Sequence, residues 1–274
     1  MMAWLKYNKL SYWLYYNYLK LRNYNINCYV FVATTGRSGT NSLCNLFSAS
    51  PKVISLHEPC PVMFSDNSDF TDKEQLALSS SKRKLLSILS YAANNKVYIE
   101  ASHLFIKNFS NIVLSFLPKG KLRFVHLKRA PIEVAESFYQ IGSIPGKTAR
   151  GIRYLLDPKK CDNLLKVPEL FTDTSYSHDF YKCLWYWYEI EKRVEKLKKS
   201  NPEILWMNIT TESLNDRNTL VDLVRFVGLS KSDVQFCEKF KEKSNDKKNE
   251  KTTPIDFNSF EMNERFKNLL KNQI

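Results

Sequence analysis

The sequence predicts an α/β fold in which a parallel β-sheet is covered by helices on both faces. Three observations predict it. Short apolar runs rich in β-branched and aromatic residues alternate with stretches of helical period, the rhythm of successive strand–helix units. The apolar runs are continuous rather than alternating, as buried parallel strands require. The chain has 274 residues, 43% hydrophobic and 14% aromatic, enough apolar side chain for a sizeable core, and this excludes a largely disordered protein.

Each element follows in order. In residues 1–27, Trp4, Leu5, Tyr12, Trp13, Tyr16 and Leu19 can line one side of a helix, with lysines interspersed. A helix packed on the domain is expected there, with a membrane-surface helix as the alternative. Cys28–Thr34 reads as the first strand and Thr40–Phe47 as a helix. Lys82–Ala93 carries Leu85, Leu86, Ile88 and Leu89 at helical spacing, and Val97–Ala101 is a second strand. Phe105, Phe109, Ile112 and Phe116 mark one helix face. Leu122–Leu127 is a third strand, and Pro131 opens a helix at its favoured first position. Phe180, Leu184, Trp187, Ile190, Val194 and Leu197 stripe a long helix. Ile204–Ile209 is a further strand, and Leu220–Val227 is a helix stopped by Gly228. Residues 141–178 show little periodicity and read as an insertion or lid. Residues 238–252 are a charge run and read as a solvated loop. The expected division is an aromatic, basic helical segment at 1–27, one domain at 28–232, and a charged C-terminal segment at 233–274.

The net charge of +13 suits polyanionic partners: nucleic acid, anionic lipid, acidic sugar or a polyphosphorylated nucleotide. No RNP, KH, helix-turn-helix or zinc-finger pattern is present, so nucleic acid is not an expected partner. The cysteines (Cys28, Cys44, Cys60, Cys161, Cys183 and Cys237) form no CxxC pair and fit no zinc spacing; free thiols in a reducing compartment are expected. The first 27 residues are too polar for a signal peptide, and no apolar run is long enough for a membrane span. A cytoplasmic location is expected, with peripheral membrane contact through residues 1–27 as a variant.

The most informative segment is Thr35-Gly36-Arg37-Ser38-Gly39-Thr40-Asn41, between the first strand and a helix. In such a turn, backbone N–H groups and the helix N-terminus converge on one spot that suits a phosphate or sulfate. Gly36 and Gly39 let the backbone approach an anion closely. Arg37 adds a forked cation, and Ser38, Thr40 and Asn41 add side-chain donors. A Walker A loop would need lysine after the last glycine; Thr40 stands there, which disfavours a magnesium-dependent phosphotransferase.

The stretch Arg37–Phe47 (RSGTNSLCNLF), followed by Pro51, Val53 and Leu56-His57-Glu58-Pro59, resembles the 5′-phosphosulfate loop and following turn of carbohydrate sulfotransferases that use 3′-phosphoadenosine-5′-phosphosulfate (PAPS). The family's 3′-phosphate motif is a strand, an Arg, a Pro, and a Ser eight residues after the Arg. Phe124–Leu127, Arg129, Pro131 and Ser137 match it. Two departures stand out: Ala130 replaces the usual Asp, and Arg37 stands where many cytosolic relatives have Lys, as in the carbohydrate-directed branch. The resemblance covers residues 28–230 in outline.

The resemblance implies a three-layer, P-loop NTPase-like fold and transfer of a sulfonyl group from PAPS to a hydroxyl, most simply of a carbohydrate or a lipid-linked sugar, with no metal required. Arg37 would neutralise charge on the bridging oxygen. Gly36, Arg37, Ser38, Gly39, Thr40 and Asn41 would hold the 5′ end of the nucleotide, and Arg129 and Ser137 its 3′-phosphate. Glu58, at the family's E-P position, is the first candidate for the base. His103 is the second, because it ends a strand on the side where such sheets bind ligands. His57 ranks below it, His126 is expected in the core, and His178 at a helix start. Acceptor contacts are expected from residues 60–75 and 141–178. The alternatives are a nucleotide-dependent phosphotransferase, or a non-enzymatic protein binding nucleic acid or a membrane surface.

Overall fold

The computed structural model describes residues 9–48, 50–64, 73–230, 253–271 and 273. Trp4, Leu5, Cys237 and the charge run 238–252 lie outside the described residues. The chain forms a three-layer α/β fold, a parallel sheet between two layers of helices. Its elements, in order, are helix α1 (Lys9–Arg22), strand β1 (Cys28–Ala33), α2 (Thr40–Phe47), β2 (Val53–His57), α3 (Lys73–Ala92) and β3 (Val97–Ala101). A single wide π-turn (Phe105–Phe109) leads into α4 (Ser110–Phe116), β4 (Leu122–Lys128) and α5 (Pro131–Gln140). Then come α6 (Ala149–Tyr154), α7 (Glu169–Thr172), α8 (Asp179–Ser200), β5 (Leu205–Thr210), α9 (Arg217–Phe226) and α10 (Ser259–Leu270).

The sheet order is β2-β3-β1-β4-β5, every pair parallel. All residues of β1 and β3 are buried, which is why both read as unbroken apolar runs. Alternation sorts the side chains of β1 into two layers. Tyr29 and Phe31 face a layer of rings, Phe31 lying 5.2 Å from Phe105 and 6.4 Å from Phe124, backed by α1, α3, α5 and α8. Val30 and Val32 face the smaller layer of α2 and α9, with Leu43, Phe47, Leu223 and Val224.

The register decides where function can sit. Ala33 pairs with His126, His57 with Ala101, and Lys128 with Thr210, so the strands end nearly level. Their exits place Glu58, His103, the Gly36–Gly39 loop, Arg129 and Thr211 side by side along one edge. With neighbouring strands about 4.8 Å apart, the row from Glu58 to Arg129 spans about 14 Å.

The structure differs from the sequence expectations at definite places. Strand β2 was not expected; it is a short edge strand with only Val53 buried, so it carries little apolar signal. Helix α3 begins at Lys73, not Lys82. Trp13 is 58% exposed and lies across α1 from buried Leu19, and Phe116, 52% exposed, leaves the face its spacing suggested. His126 is buried but not among apolar groups: it donates from Nε2 to Glu191 at 3.0 Å and accepts from Lys198 at Nδ1 at 3.1 Å. His178 caps α8 itself, accepting from the Phe180 N–H, while Asp179 pairs with Lys147 and Lys182. Within 253–271, assigned from sequence to a charged tail, α10 packs Phe266 and Leu270 into the main core. The expected segment 141–178 likewise contributes Ile144, Leu155, Leu165 and Leu170 to that core.

Glu189 of α8 fastens that segment. Fully buried, it accepts from the Leu164 and Leu165 N–H groups at 2.8–3.0 Å and from Arg193 Nε at 2.6 Å. Glu189→Ala should lower unfolding free energy by about 3 kcal/mol or more, because it strands a largely buried guanidinium and two backbone donors. Urea denaturation measures this, and Glu189→Gln, which keeps an acceptor, should cost less.

Candidate active site

The loop after β1 is shaped by its backbone. Gly36, Arg37 and Gly39 have φ of 87°, 57° and 84°. Gly39 is the N-cap of α2 and offers no side-chain cap, so the first-turn N–H groups remain directed at the loop's concave side. Gly36 is needed on a second ground: a Cβ there would stand 3.1 Å from the Cβ of His103. Arg37 adopts left-handed backbone without being glycine, a strain usually found at working sites.

Ser38 does not project as sequence suggested. Its hydroxyl is buried, donates to the Gly36 carbonyl at 3.0 Å and meets the Thr35 hydroxyl at 3.2 Å, so it sets the loop's shape. The Thr40 hydroxyl pairs with His57 Nε2 at 3.0 Å. Thr211, just beyond β5, closes the loop from outside by donating to the Ser38 carbonyl at 3.0 Å.

The two sequence-predicted anion-binding segments meet. Arg37 Nε donates to the Ser137 hydroxyl at 2.8 Å, and Arg129 Nη1 donates to the Arg37 carbonyl at 3.0 Å. Two guanidinium groups are therefore brought together at the loop that precedes the positive N-terminal end of α2. Glu133, on the first turn of α5, holds Arg129 Nε at 2.7 Å and orients its fork. This donor set, cations and backbone N–H on flexible-φ positions, fits a nucleotide carrying separated anionic groups.

On the far side of the loop stand Glu58 and His103. Glu58, with φ 47°, leaves β2; His103 follows β3 and donates from Nδ1 to the Glu58 carboxylate in a short contact. Burial pushes the Glu58 carboxyl up, but the His103 hydrogen bond and the charges of His103, His57 and Lys107 outweigh it and hold the group at about 2. Burial, with Lys107 nearby, lowers His103 below its ordinary value against the pull of Glu58. At neutral pH the pair is thus a carboxylate and a neutral imidazole whose Nδ1 carries the proton.

Several site residues gave no sequence signal. Lys107 projects from the π-turn, donates to the Tyr154 carbonyl at 2.6 Å and the Tyr186 hydroxyl at 2.8 Å, and is pushed well below the lysine range, chiefly by burial. Tyr186 passes the link on by donating to the Thr35 carbonyl at 3.0 Å, and Trp187 Nε1 donates to the Arg129 carbonyl at 2.9 Å. Beneath Glu58, the buried Lys84 pairs with Glu100 at 2.6 Å and donates to the Pro59 carbonyl at 3.3 Å. Tyr98 completes the group by donating to Glu100. Apart from Tyr98 and Glu100, neighbours on one face of β3, these partners join separate elements, so spacing could not find them.

No protein-family model matches the chain, and no curated protein sequence matches it. Structural likeness is found to a sulfotransferase from Alicyclobacillus acidocaldarius, at 16% identity and a TM-score of 0.44, covering 75% of this chain and 81% of that one. It is also found to the sulfotransferase domain from the curacin biosynthetic pathway, at 11% identity and 0.49, covering 90% and 98%. A third neighbour is retinol dehydratase in complex with androsterone and inactive cofactor PAP, at 19% identity and 0.36, covering 78% and 65%.

Two outcomes follow from this geometry. Gly36→Ala should cost about 1–2 kcal/mol from left-handed backbone strain alone, read by urea denaturation. It should also move the His103 imidazole titration followed by NMR. Glu58 is depressed from 4.5 to about 2, so the stability it contributes is present above 4.5 and lost as pH falls toward 2. Glu58→Gln should remove that share of acid sensitivity, seen by comparing urea midpoints above and below 4.5.

Proposed function

We propose that the chain is a sulfotransferase that moves a sulfonyl group from PAPS to a hydroxyl of a carbohydrate or lipid-linked sugar. The observation that carries this reading is the junction of Arg37 with Ser137 and of Arg129 with the Arg37 carbonyl. It joins the two segments that the proposal assigns to the phosphates, and a histidine–carboxylate pair stands at the neighbouring strand ends.

In this reading Gly36–Asn41 cradle the 5′-phosphosulfate, and Arg129 with Ser137 receive the 3′-phosphate. The acceptor oxygen attacks sulfur in line, the new O–S bond forms, and the S–O bond to the 5′-phosphate breaks. The leaving adenosine 3′,5′-bisphosphate keeps the electron pair, and Arg37 neutralises its growing charge. The proton of the acceptor hydroxyl goes to Nε2 of His103. The Glu58 carboxylate is engaged by the imidazole and its basicity is lowered by that hydrogen bond, whereas the neutral imidazole has a free ring nitrogen suited to the task, and Glu58 fixes its tautomer. Phe64, Tyr154 and Arg153 support an acceptor side here. The Tyr154 ring lies 6.2 Å from His103 and 5.3 Å from Phe64, and the Arg153 guanidinium stands 4.1 Å over Phe64. Such rings stack on a sugar face, and the guanidinium suits an acidic substituent.

Isothermal titration with adenosine 3′,5′-bisphosphate against ATP plus magnesium tests the nucleotide. Tight binding of ATP alone would defeat the proposal. Arg37→Ala and Arg129→Ala should each weaken bisphosphate affinity about tenfold to a hundredfold, the loss of one charge-assisted hydrogen bond or more. With radiolabelled PAPS and a glycan panel, His103→Ala should lower kcat about a hundredfold or more while sparing bisphosphate affinity. Glu58→Gln should retain part of the rate and shift the acid limb of the pH profile. Full loss in Glu58→Gln with His103→Ala active would reverse the two roles.

A further inference from the structure

Helix α1 is bound to the domain by one side only. Ser11, Leu19 and Asn23 are buried, and Asn23 donates to the Leu89 carbonyl of α3 at 2.8 Å. The opposite side exposes Leu10 (63%), Trp13 (58%), Leu14 (54%), Tyr18 (48%) and Leu21 (76%). At about 100° per residue these five share an arc of about 140°. Lys20 borders the arc on one side and Arg22 on the other, both exposed. Tyr24, 81% exposed, continues the stripe past the helix end, where Lys121 donates to its carbonyl and Lys96 accepts from the Asn27 N–H. Lys82 lies over the Tyr12 ring at 5.3 Å. No Asp or Glu precedes Glu58 in the sequence, so α1 and its connection to β1 carry no negative side chain.

We propose that this face of α1 docks the protein on an anionic lipid bilayer. An apolar arc bordered by cations on both sides is the geometry of a helix lying in the interfacial plane, with leucines and Trp13 in the acyl boundary and Lys20 and Arg22 reaching the headgroups. Charge selects the partner: a stripe bare of carboxylates and rimmed by Lys20, Arg22, Lys96 and Lys121 is drawn to a negative surface. Among the described residues no helix is long and apolar enough to cross a membrane, so the mode is lying on the surface. The proposal is independent of the sulfonyl-transfer reading.

Vesicle flotation of the full chain tests it, using phosphatidylcholine alone and phosphatidylcholine with phosphatidylglycerol. Binding should need the anionic lipid and weaken with salt. Leu14→Glu and Leu21→Glu should each reduce vesicle affinity about tenfold or more, the loss of one buried leucine. Lys20→Glu with Arg22→Glu should abolish the preference for phosphatidylglycerol. Circular dichroism and urea denaturation check that each variant is folded. No flotation with phosphatidylglycerol vesicles, or flotation unchanged by both leucine variants, overturns the proposal. So does a concentration-dependent dimer in sedimentation velocity that Leu14→Glu dissolves, which would assign the stripe to a second copy of the chain.

Discussion

The hydrogen bond from the Tyr186 hydroxyl to the Thr35 carbonyl joins the phosphate-type loop to the centre of α8. Its neighbours on the helix act the same way. Trp185 donates to the Leu165 carbonyl, Trp187 to the Arg129 carbonyl, and Glu189 gathers the Leu164 and Leu165 N–H groups. A buried aromatic ring is rigid and its polar tip must find a partner. Trp185, Tyr186 and Trp187 therefore each fix a backbone carbonyl of the loop, of the β4 exit or of the segment beside them, and Tyr188 reaches the Asn263 side chain of α10. The site's geometry is inherited from the packing of one helix, which accounts for so many large rings within a single helical turn and a half.

Electrostatics complements that framework. Arg37 and Arg129 share one side of the loop, and the negative groups beside them act as orienting partners: Glu133 on Arg129, and Glu58 on His103. Lys107 stands under the histidine end and donates to two neutral oxygens. The cleft is thus graded along its length, with permanent cations at one end and a titratable imidazole at the other. That order is the one the proposed sulfonyl transfer requires, with anionic groups held at one end and a proton taken up at the other.

Much of this was legible in the sequence, for local reasons. Two glycines three apart after an apolar run announce a loop that must turn left-handed, and the buried run CYVFVA has no reading but an interior strand. Arg129 and Ser137 are picked out by the family resemblance, whose motif sets an Arg at a strand end and a Ser eight residues further on. What escaped depends on contacts across the chain. Strand β2 is stabilised by its pairing with β3 rather than by its own pattern. Lys107 sits in an apolar stretch that looks like plain core until Tyr186, far along the chain, is brought beside it. Trp13 and Leu19 share a composition but not a face, and only packing on α3 sorts them. Ser38 looks like a ligand donor by residue type, yet its burial turns it to the loop's own carbonyl.

The Lys84–Glu100 pair beneath the Glu58-Pro59 turn has a consequence for how such a protein evolves. Two charges removed from water gain little net stability, and an apolar pair of similar shape often stabilises as well or better. Selection for thermal robustness alone would tend to erase the pair. Lys84 nonetheless holds the Pro59 carbonyl, and through it the backbone that carries Glu58. An ion pair at that point gives up some robustness for a fixed turn, and an apolar replacement of the pair would gain heat tolerance while releasing the backbone that carries Glu58.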